Sequence, residues 1–134
     1  MAPVAFVPAV ASLAAAYTEA WNTGRPDAVA AFFAPLGVIT INDGAPWQGR
    51  TGVAAMAAGF FADIPDLALA CDGVRATGSR AIYTWTFTGH HMASGRALCV
   101  SGWEEWRIDA DGAISESRGW FDAADYARQC GIDG

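Results

Sequence analysis

The sequence contains no lysine, and all eight of its basic residues are arginines. The absence of lysine excludes Schiff-base chemistry, lysine general bases and phosphate-binding loops that depend on a lysine. Only three cysteines occur, widely spaced and without a Cys-x-x-Cys pair, which predicts a reduced, cytoplasmic setting. No apolar run reaches the roughly 18 residues of a membrane-spanning helix. We therefore expect no contact with a membrane.

Charged residues are scarce too, at 16% of the chain, and their balance is acidic, with a net charge of −6. An acidic chain has little general affinity for phosphate backbones, so nucleic acid is not an expected partner. The 134 residues are 53% hydrophobic and include six tryptophans, which predicts a single folded domain over residues 1–134. Residues 1–8 are expected to form a tail, because this apolar segment lacks the basic start of a signal peptide.

Apolar spacing and turn residues predict helices first and strands afterwards. Helical periodicity and helix-end residues predict three helices, over 9–22, 26–33 and 51–63, and a closing helical turn over 122–129. Alternation and β-branched residues predict strands over 38–42, 67–76, 81–91, 97–108 and 114–121. Because hairpin turns join the last four strands, they predict an antiparallel meander and the α+β class.

The last three predicted strands each place titratable side chains among large aromatic residues. Side chains alternate between the two faces of a strand, so odd-numbered residues of 81–91 can share one face. The even-numbered residues of 97–108 and 114–121 can do the same. If these faces coincide, an imidazole, carboxylates and a guanidinium share one aromatic-walled pocket, formed by His91, Glu104, Arg118, Asp122, Trp85, Trp106 and Trp120. This pattern predicts a site for a small hydrophobic organic ligand.

The order of elements and several short motifs resemble the nuclear transport factor two-like superfamily, most closely its SnoaL-like polyketide cyclase branch. The motifs are YTEAWN at 17–22, GRTGV at 49–53, IPDL at 64–67, TGHH at 88–91, SGWE at 101–104 and WFD at 120–122. The resemblance covers residues 13–131. It implies a cone-shaped antiparallel curved sheet wrapped around three N-terminal helices, with an apolar pocket and no cofactor. It also implies a homodimer, expected through the outer sheet face that carries Trp103.

The resemblance implies catalytic roles for Asp122, His91 and Tyr17. Asp122 matches an acid at the end of the last strand that would act as a base, and it fits equally well the N-cap of the closing helix. His91 matches an inner-face histidine that would shuttle a proton, and it fits equally well a core imidazole. Tyr17 matches a hydroxyl donor on the first helix, and it also fits a plain core position.

Six further residues are expected to bind the substrate: Glu104, Arg118, Trp85, Trp106, Trp120 and Asn42. Glu104 matches the acid that ketosteroid-isomerase-like members use, protonated, as an oxyanion donor. That chemistry also needs a carboxylate base on the first long strand, where this chain has Thr40, Ile41 and Asn42. Arg118 stands where the cyclase-like relatives have tryptophan. It fits a structural salt bridge or a contact with a substrate carboxylate or enolate oxygen.

Two classes of function remain open. The first is a small cofactor-independent cyclase, lyase or isomerase that moves a proton next to a carbonyl, with Asp122 as base and His91 as acid. The second is a non-catalytic protein that holds a hydrophobic ligand in the same pocket, and a ketosteroid-isomerase-like enzyme is a further alternative. No metal site is expected, because the adjacent His90 and His91 face opposite sides of a strand. The short hairpin at 92–97 argues against a bulky polycyclic substrate.

Overall fold

The structure is a computed structural model that describes residues 2–132, with side chains from residue 9 onwards. It contains four helices, α1 (Ala2–Asn22), α2 (Pro26–Ala30), α3 (Gly49–Asp63) and α4 (Ala123–Cys130). It contains six strands, β1 (Phe33–Ile41), β2 (Trp47–Gln48), β3 (Ala68–Thr77), β4 (Arg80–His90), β5 (Ala97–Ile108) and β6 (Ile114–Phe121). The α+β class is confirmed, since the helices pack on a curved, unclosed sheet.

The helices occupy the predicted segments, although α1 begins at Ala2 instead of residue 9 and α2 ends at Ala30 instead of residue 33. On α1, Val10, Ala14, Tyr17 and Trp21 are buried at helical spacing and face the sheet. The helix ends before Gly24, whose φ of 70° is a left-handed conformation that suits glycine. The backbone of the predicted tail is helical from Ala2. None of the helices within residues 2–132 is long and apolar enough to cross a membrane.

The six strands form one sheet in the order β2-β1-β6-β5-β4-β3. The predicted meander is present as β3 to β6, with antiparallel pairing throughout. β1 pairs with β6 in parallel and starts at Phe33, within the segment expected to be helical. Phe33 is fully buried and pairs with Ile114, and such tertiary contacts override a local helical pattern.

β6 carries a one-residue bulge at its start. Ile114 pairs with Ile108 on β5, and Glu116 pairs with Arg107, so Ser115 has no partner in this register. An extra residue in one strand shifts the alternation of side chains by one position. From Glu116 onwards, the odd-numbered residues of β6 therefore face the helices and the even-numbered residues face outwards.

Because of the bulge, Arg118 and Trp120 lie on the outer face, and the expectation that they face inwards with Glu104 is wrong. The Arg118 Nε lies 3.4 Å from Oε2 of Glu116, which is the salt bridge that the sequence allowed as an alternative. The Trp120 ring lies 5.7 Å from the ring of Trp103. Three other residues of β6 occupy the inner positions, Ser117, Gly119 and Phe121.

Candidate functional site

A cavity of about 50 Å³ lies between the helices and the inner face of the sheet. Its walls come from α1, α3 and five strands, and are formed by Trp21, Ile39, Ile41, Met56, Phe60, Leu67, Leu69, Trp85, Phe87, Glu104, Gly119 and Phe121. Of these residues, only Glu104 is ionisable. A cavity of this size has room for a few water molecules. A ligand of more than a few heavy atoms would therefore require the walls to move.

The carboxyl of Glu104 is buried and is held by three hydrogen-bond donors. Its Oε1 accepts a bond of 2.7 Å from the Ser117 hydroxyl and a bond of 2.9 Å from the Trp106 indole. The Tyr17 hydroxyl lies 3.3 Å from both carboxyl oxygens. Within the described chain, Oε2 receives only this long bond, so Oε2 is the oxygen available to a ligand.

The register of the sheet explains how these residues meet. Glu104 and Trp106 are two residues apart on β5 and therefore share one face. Ser117 pairs directly with Trp106 across the β5–β6 ladder, on the inner face because of the bulge. Tyr17 lies one helical turn before Trp21 on the buried face of α1, and its ring is fully buried. The carboxyl is thus held by regular elements and by no loop.

Burial raises the pKa of the Glu104 carboxyl above its ordinary value, because the charged form loses its hydration. The hydrogen bonds from Trp106, Ser117 and Tyr17 act in the opposite direction, since they favour the carboxylate. Burial, together with the nearby charge of Glu104, raises the pKa of Tyr17 well above its ordinary value. Tyr17 is therefore a neutral donor, and Glu104 is a group that can take up and release a proton.

Trp21 and Trp85 supply two further donors at the cavity. Both indole N–H groups are buried, and neither has a hydrogen-bond acceptor in the part of the chain that the structure describes. An unsatisfied buried donor lowers the stability of a fold by about 1–3 kcal/mol, so two such donors at one cavity are unusual. The Trp21 indole lies close enough to the Tyr17 hydroxyl to lower the pKa of Tyr17, although the two groups form no hydrogen bond of normal geometry. Both tryptophans are also residues of the cavity wall.

Neither His91 nor Asp122 lines this cavity. His91 is buried in the β4–β5 connection, where its Nδ1 lies 2.9 Å from the Ser94 hydroxyl. Asp122 is exposed and is the N-cap of α4, where its Oδ1 accepts a 3.0 Å bond from the backbone N–H of Asp125. The structure therefore places these two side chains in structural contacts that the sequence already allowed. It does not bring them together with Glu104 at the cavity.

Asn42 also lies outside the cavity walls. It follows β1 in a left-handed conformation with a φ of 51°, and its Oδ1 accepts a bond of 3.0 Å from the backbone N–H of Phe121. This contact joins the end of β1 to the end of β6. Of the expected site residues, Glu104 and Trp85 line the cavity, and Tyr17 and Trp106 contact the Glu104 carboxyl without lining the cavity.

Ser117 and most residues of the cavity wall, with Trp21 and Phe60 among them, were not among the expected site residues. Trp21 lies four residues after Tyr17, and that spacing on a helix is a signal that predicts a shared face. Phe60 lies on the predicted third helix among its apolar positions. Ser117 has no local signal, because its inward position depends on the bulge. No group of three or more histidine, cysteine or carboxylate side chains suited to a metal occurs within residues 2–132.

Comparisons with known proteins agree with this architecture. The family model described as a SnoaL-like domain matches residues 14–117. A protein of ketosteroid-isomerase-like fold from Catenulispora acidiphila, in complex with trimethylamine, has a TM-score of 0.82 at 19% identity, over 90% of this chain and 92% of that one. No curated protein sequence matches the chain.

Two more solved structures share the fold. A proposed SnoaL-like polyketide cyclase from a Jannaschia species has a TM-score of 0.80 at 20% identity, over 98% of this chain and 94% of that one. An NTF2-like protein of unknown function from Burkholderia pseudomallei has a TM-score of 0.79 at 22% identity, over 89% of this chain and 95% of that one. At these identities the likeness concerns the fold alone, which is the NTF2-like fold expected from the sequence.

Proposed function

The chain belongs to the SnoaL-like domain family, and we propose that it is a small cofactor-independent enzyme that moves a proton next to a carbonyl of a small hydrophobic ligand. A shared fold does not determine the reaction, so the proposal depends on this chain's own site. The observation that carries it is Glu104, the single ionisable side chain in the wall of an otherwise apolar cavity. A buried carboxyl with a raised pKa is suited to acid–base catalysis.

Glu104 would act as the base through Oε2. A proton on the carbon next to the carbonyl moves to Oε2, the C–H bond breaks, and its electron pair moves into the carbonyl group to form an enolate. For an isomerisation, the same oxygen then returns the proton to a different atom of the enolate. For a ring closure, the enolate carbon attacks a second carbonyl of the ligand, a C–C bond forms as the C=O π bond breaks, and the proton goes to the resulting alkoxide oxygen; neither route needs a cofactor. The sequence had favoured Asp122 as base. Glu104 is the better candidate, because it lies in the wall of the cavity.

The two unpartnered indoles would bind the oxygen on which negative charge develops. Fixed donors in a site without bulk water stabilise an oxyanion strongly, because they need no reorganisation during the reaction. Trp21 and Trp85 are both buried, and both line the cavity that contains Glu104. A carbonyl oxygen bound in the cavity would offer these N–H groups the acceptor that the described chain does not supply. This favours a carbonyl compound over a pure hydrocarbon.

The walls also limit the ligand. Five aromatic rings line the cavity, from Trp21, Phe60, Trp85, Phe87 and Phe121, and they suit a small flat molecule. The volume of about 50 Å³ and the short connection between β4 and β5 both argue against a bulky polycyclic substrate.

Hydrogen–deuterium exchange tests the proposal. Small ketones are incubated with the protein in D₂O, and loss of the α-proton signal is followed by ¹H NMR. We expect exchange with the wild-type protein, and Glu104→Gln should slow it by about 10²-fold or more. Asp122→Asn is the matched control, because asparagine keeps the N-cap but cannot act as a base. Exchange that survives Glu104→Gln and is lost in Asp122→Asn would return the catalytic role to Asp122.

A second candidate function is binding without chemistry. The relative from Catenulispora acidiphila holds trimethylamine, and here aromatic rings and one carboxyl surround the cavity. Rings attract a small organic cation through their faces, and the Glu104 carboxylate would supply the counter-charge. Titration with trimethylammonium chloride distinguishes this function from catalysis, and titration with neutral tert-butanol, which has a similar shape, is the comparison. Tight binding of the cation alone, with no exchange of any ketone, would favour it.

The ketosteroid-isomerase-like alternative has no such support. Its mechanism needs a carboxylate on the first long strand, and the β1 residues that line the cavity are Ile39 and Ile41. Glu104 acting as a protonated donor would leave the cavity wall without a base. Glu104 as base is therefore the simpler assignment.

The homodimer remains part of the proposal. On the outer face of the sheet, Trp103 is 43% exposed and lies against Trp120, and the two rings form an apolar patch on that face. We propose that the pair packs against its copy in a dimer. Native mass spectrometry of Trp103→Glu tests this, with a monomer expected. The cytoplasmic setting also remains a prediction, and all three cysteines are free.

A further inference from the structure

A second depression lies on the outer face of the sheet, on the opposite side from the cavity. It is a groove of about 530 Å³ across β3 to β6, within the size range of small-molecule sites. Its charged residues are Arg75, Arg80, Arg107, Arg118, Glu105 and Glu116. Four of the eight arginines of the chain therefore meet in one groove. This concentration is notable in a protein with a net charge of −6.

The strand register brings three of these arginines close together. Arg80 on β4 pairs directly with Arg107 on β5, and like charges in this position destabilise a sheet. Arg75 on β3 pairs with Ile82, two residues along β4 from Arg80. Such diagonal neighbours lie about 7–8 Å apart, within reach of a long side chain. The backbone thus fixes a patch of guanidinium groups.

The carboxylates of the groove compensate for only part of this charge. Glu116 lies between Arg107 and Arg118, with Oε atoms 3.9 Å and 3.4 Å from their Nε atoms. Arg75 and Arg80 form no ion pair or side-chain hydrogen bond with any residue between 9 and 132. Two guanidinium groups at one end of the groove are therefore available to an anion.

We propose that this groove binds a small molecule carrying a phosphate group, with Arg75 and Arg80 as its principal contacts. A phosphate monoester carries about −1.5 to −2 charges and three acceptor oxygens, which several guanidinium forks can share. A single carboxylate offers one charge and two acceptor oxygens, both fewer than a phosphate monoester offers near neutral pH. Ile82 on β4 lies beside Arg75 in the groove and is 38% exposed. It provides an apolar contact for the organic part of the ligand.

Charge argues against a second copy of this chain as the occupant. A twofold axis at the Arg75 and Arg80 end of the groove would bring the same arginines of both copies together. The Trp103–Trp120 pair lies two residues along the strands from Glu105 and Arg118, so a dimer through that pair would border the groove at the end away from Arg80. The groove is also independent of the proposed chemistry at Glu104, which lies on the inner face.

Phenyl phosphate is the probe for this site, titrated into ¹⁵N-labelled protein at constant ionic strength. We expect saturable shifts of the arginine Nε–Hε and backbone signals that are confined to the groove. Arg75→Gln and Arg80→Gln should each weaken binding about tenfold or more, since a hydrogen bond to a charged group is lost. Arg25→Gln is the matched control, because it removes the same charge at an exposed ion pair with Asp27 outside the groove. Its dissociation constant should stay within a factor of two.

Three results would overturn the proposal. The first is an absence of saturation, and the second is an equal loss of affinity in Arg25→Gln, which would indicate a general charge effect. The third is a change of oligomeric state in Arg80→Gln without phosphate, which would make the groove an interface between copies. Binding of phenyl phosphate should be unchanged in Glu104→Gln, so failure at the groove and failure at the cavity can be told apart.

Discussion

The indole of Trp106 donates a 2.9 Å hydrogen bond to the carboxyl of Glu104, two residues earlier on the same strand. Both side chains point inwards because alternate residues of a strand share a face. The acid therefore depends for its position on the central strand β5, which is paired on both sides. Such an arrangement gives the carboxyl a fixed orientation before any ligand binds.

The free energy of unfolding should contain a contribution from Glu104 that decreases as pH rises. Burial raises the pKa of Glu104 above its ordinary value of 4.5. Between these two pKa values the folded chain holds the proton and the unfolded chain has lost it, so stability falls with rising pH. Glu104→Gln has no such proton and should lack this decrease. Urea unfolding of both proteins from about pH 4.5 upwards measures the difference.

Comparison of the two proteins isolates the contribution of Glu104. Asp66 changes stability in the opposite direction, because hydrogen bonds from His90 lower the pKa of its carboxyl. That contribution is the same in both proteins and cancels in the difference. Identical pH profiles for the two proteins would mean that Glu104 is not a buried acid with a raised pKa.

Tyr17→Phe should raise the pKa of Glu104 further. The Tyr17 hydroxyl lies 3.3 Å from both carboxyl oxygens and favours the charged form. Its removal should also destabilise the fold by about 1 kcal/mol, the usual net value of one hydrogen bond. A ¹³C NMR titration of the Glu104 carboxyl measures the pKa change. The control is Tyr83→Phe, which removes a buried hydroxyl bonded to Thr18 instead of Glu104. Equal pKa changes in both variants would rule out a direct effect of Tyr17.

Asp122→Ala should cost about 1 kcal/mol of stability, because it removes the N-cap of α4. Asp122→Asn should lower the stability by only a few tenths of about 1 kcal/mol, since asparagine is an equally good N-cap. Denaturant unfolding with circular dichroism detection measures both variants. A fully stable Asp122→Asn protein that has lost all activity would show that the carboxylate has a chemical role beyond the cap.

Gly102→Ala should destabilise the protein by about 1–3 kcal/mol through overpacking. A Cβ at this position would lie 2.3 Å from the carbonyl oxygen of Trp120 and 2.6 Å from the ring of Trp85. Near-ultraviolet circular dichroism should register the displaced Trp85. The control is Gly59→Ala on α3, where a Cβ meets nothing within 4 Å. That change should stabilise the helix by about 0.5–1 kcal/mol. A neutral Gly102→Ala would show that both the Trp85 ring and the backbone at Trp120 can move without loss of stability.

Much of this fold is predictable from local sequence signals. The first and third helices, the four hairpin strands and the facing of β5 follow from periodicity, and Glu104 and Trp106 are buried as that pattern predicts. The parallel pairing of β1 with β6 was not predictable, because it joins segments far apart in the chain. Pairing partners of this kind leave no local pattern.

The site was predictable only in part, for a physical reason that particular residues show. Asp122 lies between the last strand and the closing helix. A catalytic base at the end of the strand and an N-cap of the helix would both be an aspartate at this position. The local sequence does not separate the two roles, whereas the 3.0 Å bond from the Asp125 amide identifies the cap. Arg118 was placed inwards by strict alternation, which holds only where a strand has no bulge.

The bulge gives β6 one residue more than β5 has between the pairs Ile114–Ile108 and Glu116–Arg107. Deletion of Ser115 would place Glu116 directly after Ile114 and leave both pairs as they are. Strict alternation would then hold along the whole strand, and Ser117, Gly119 and Phe121 would still face the helices. Ser115 is thus a position at which the strand can lose a residue and keep the side chains that line the cavity.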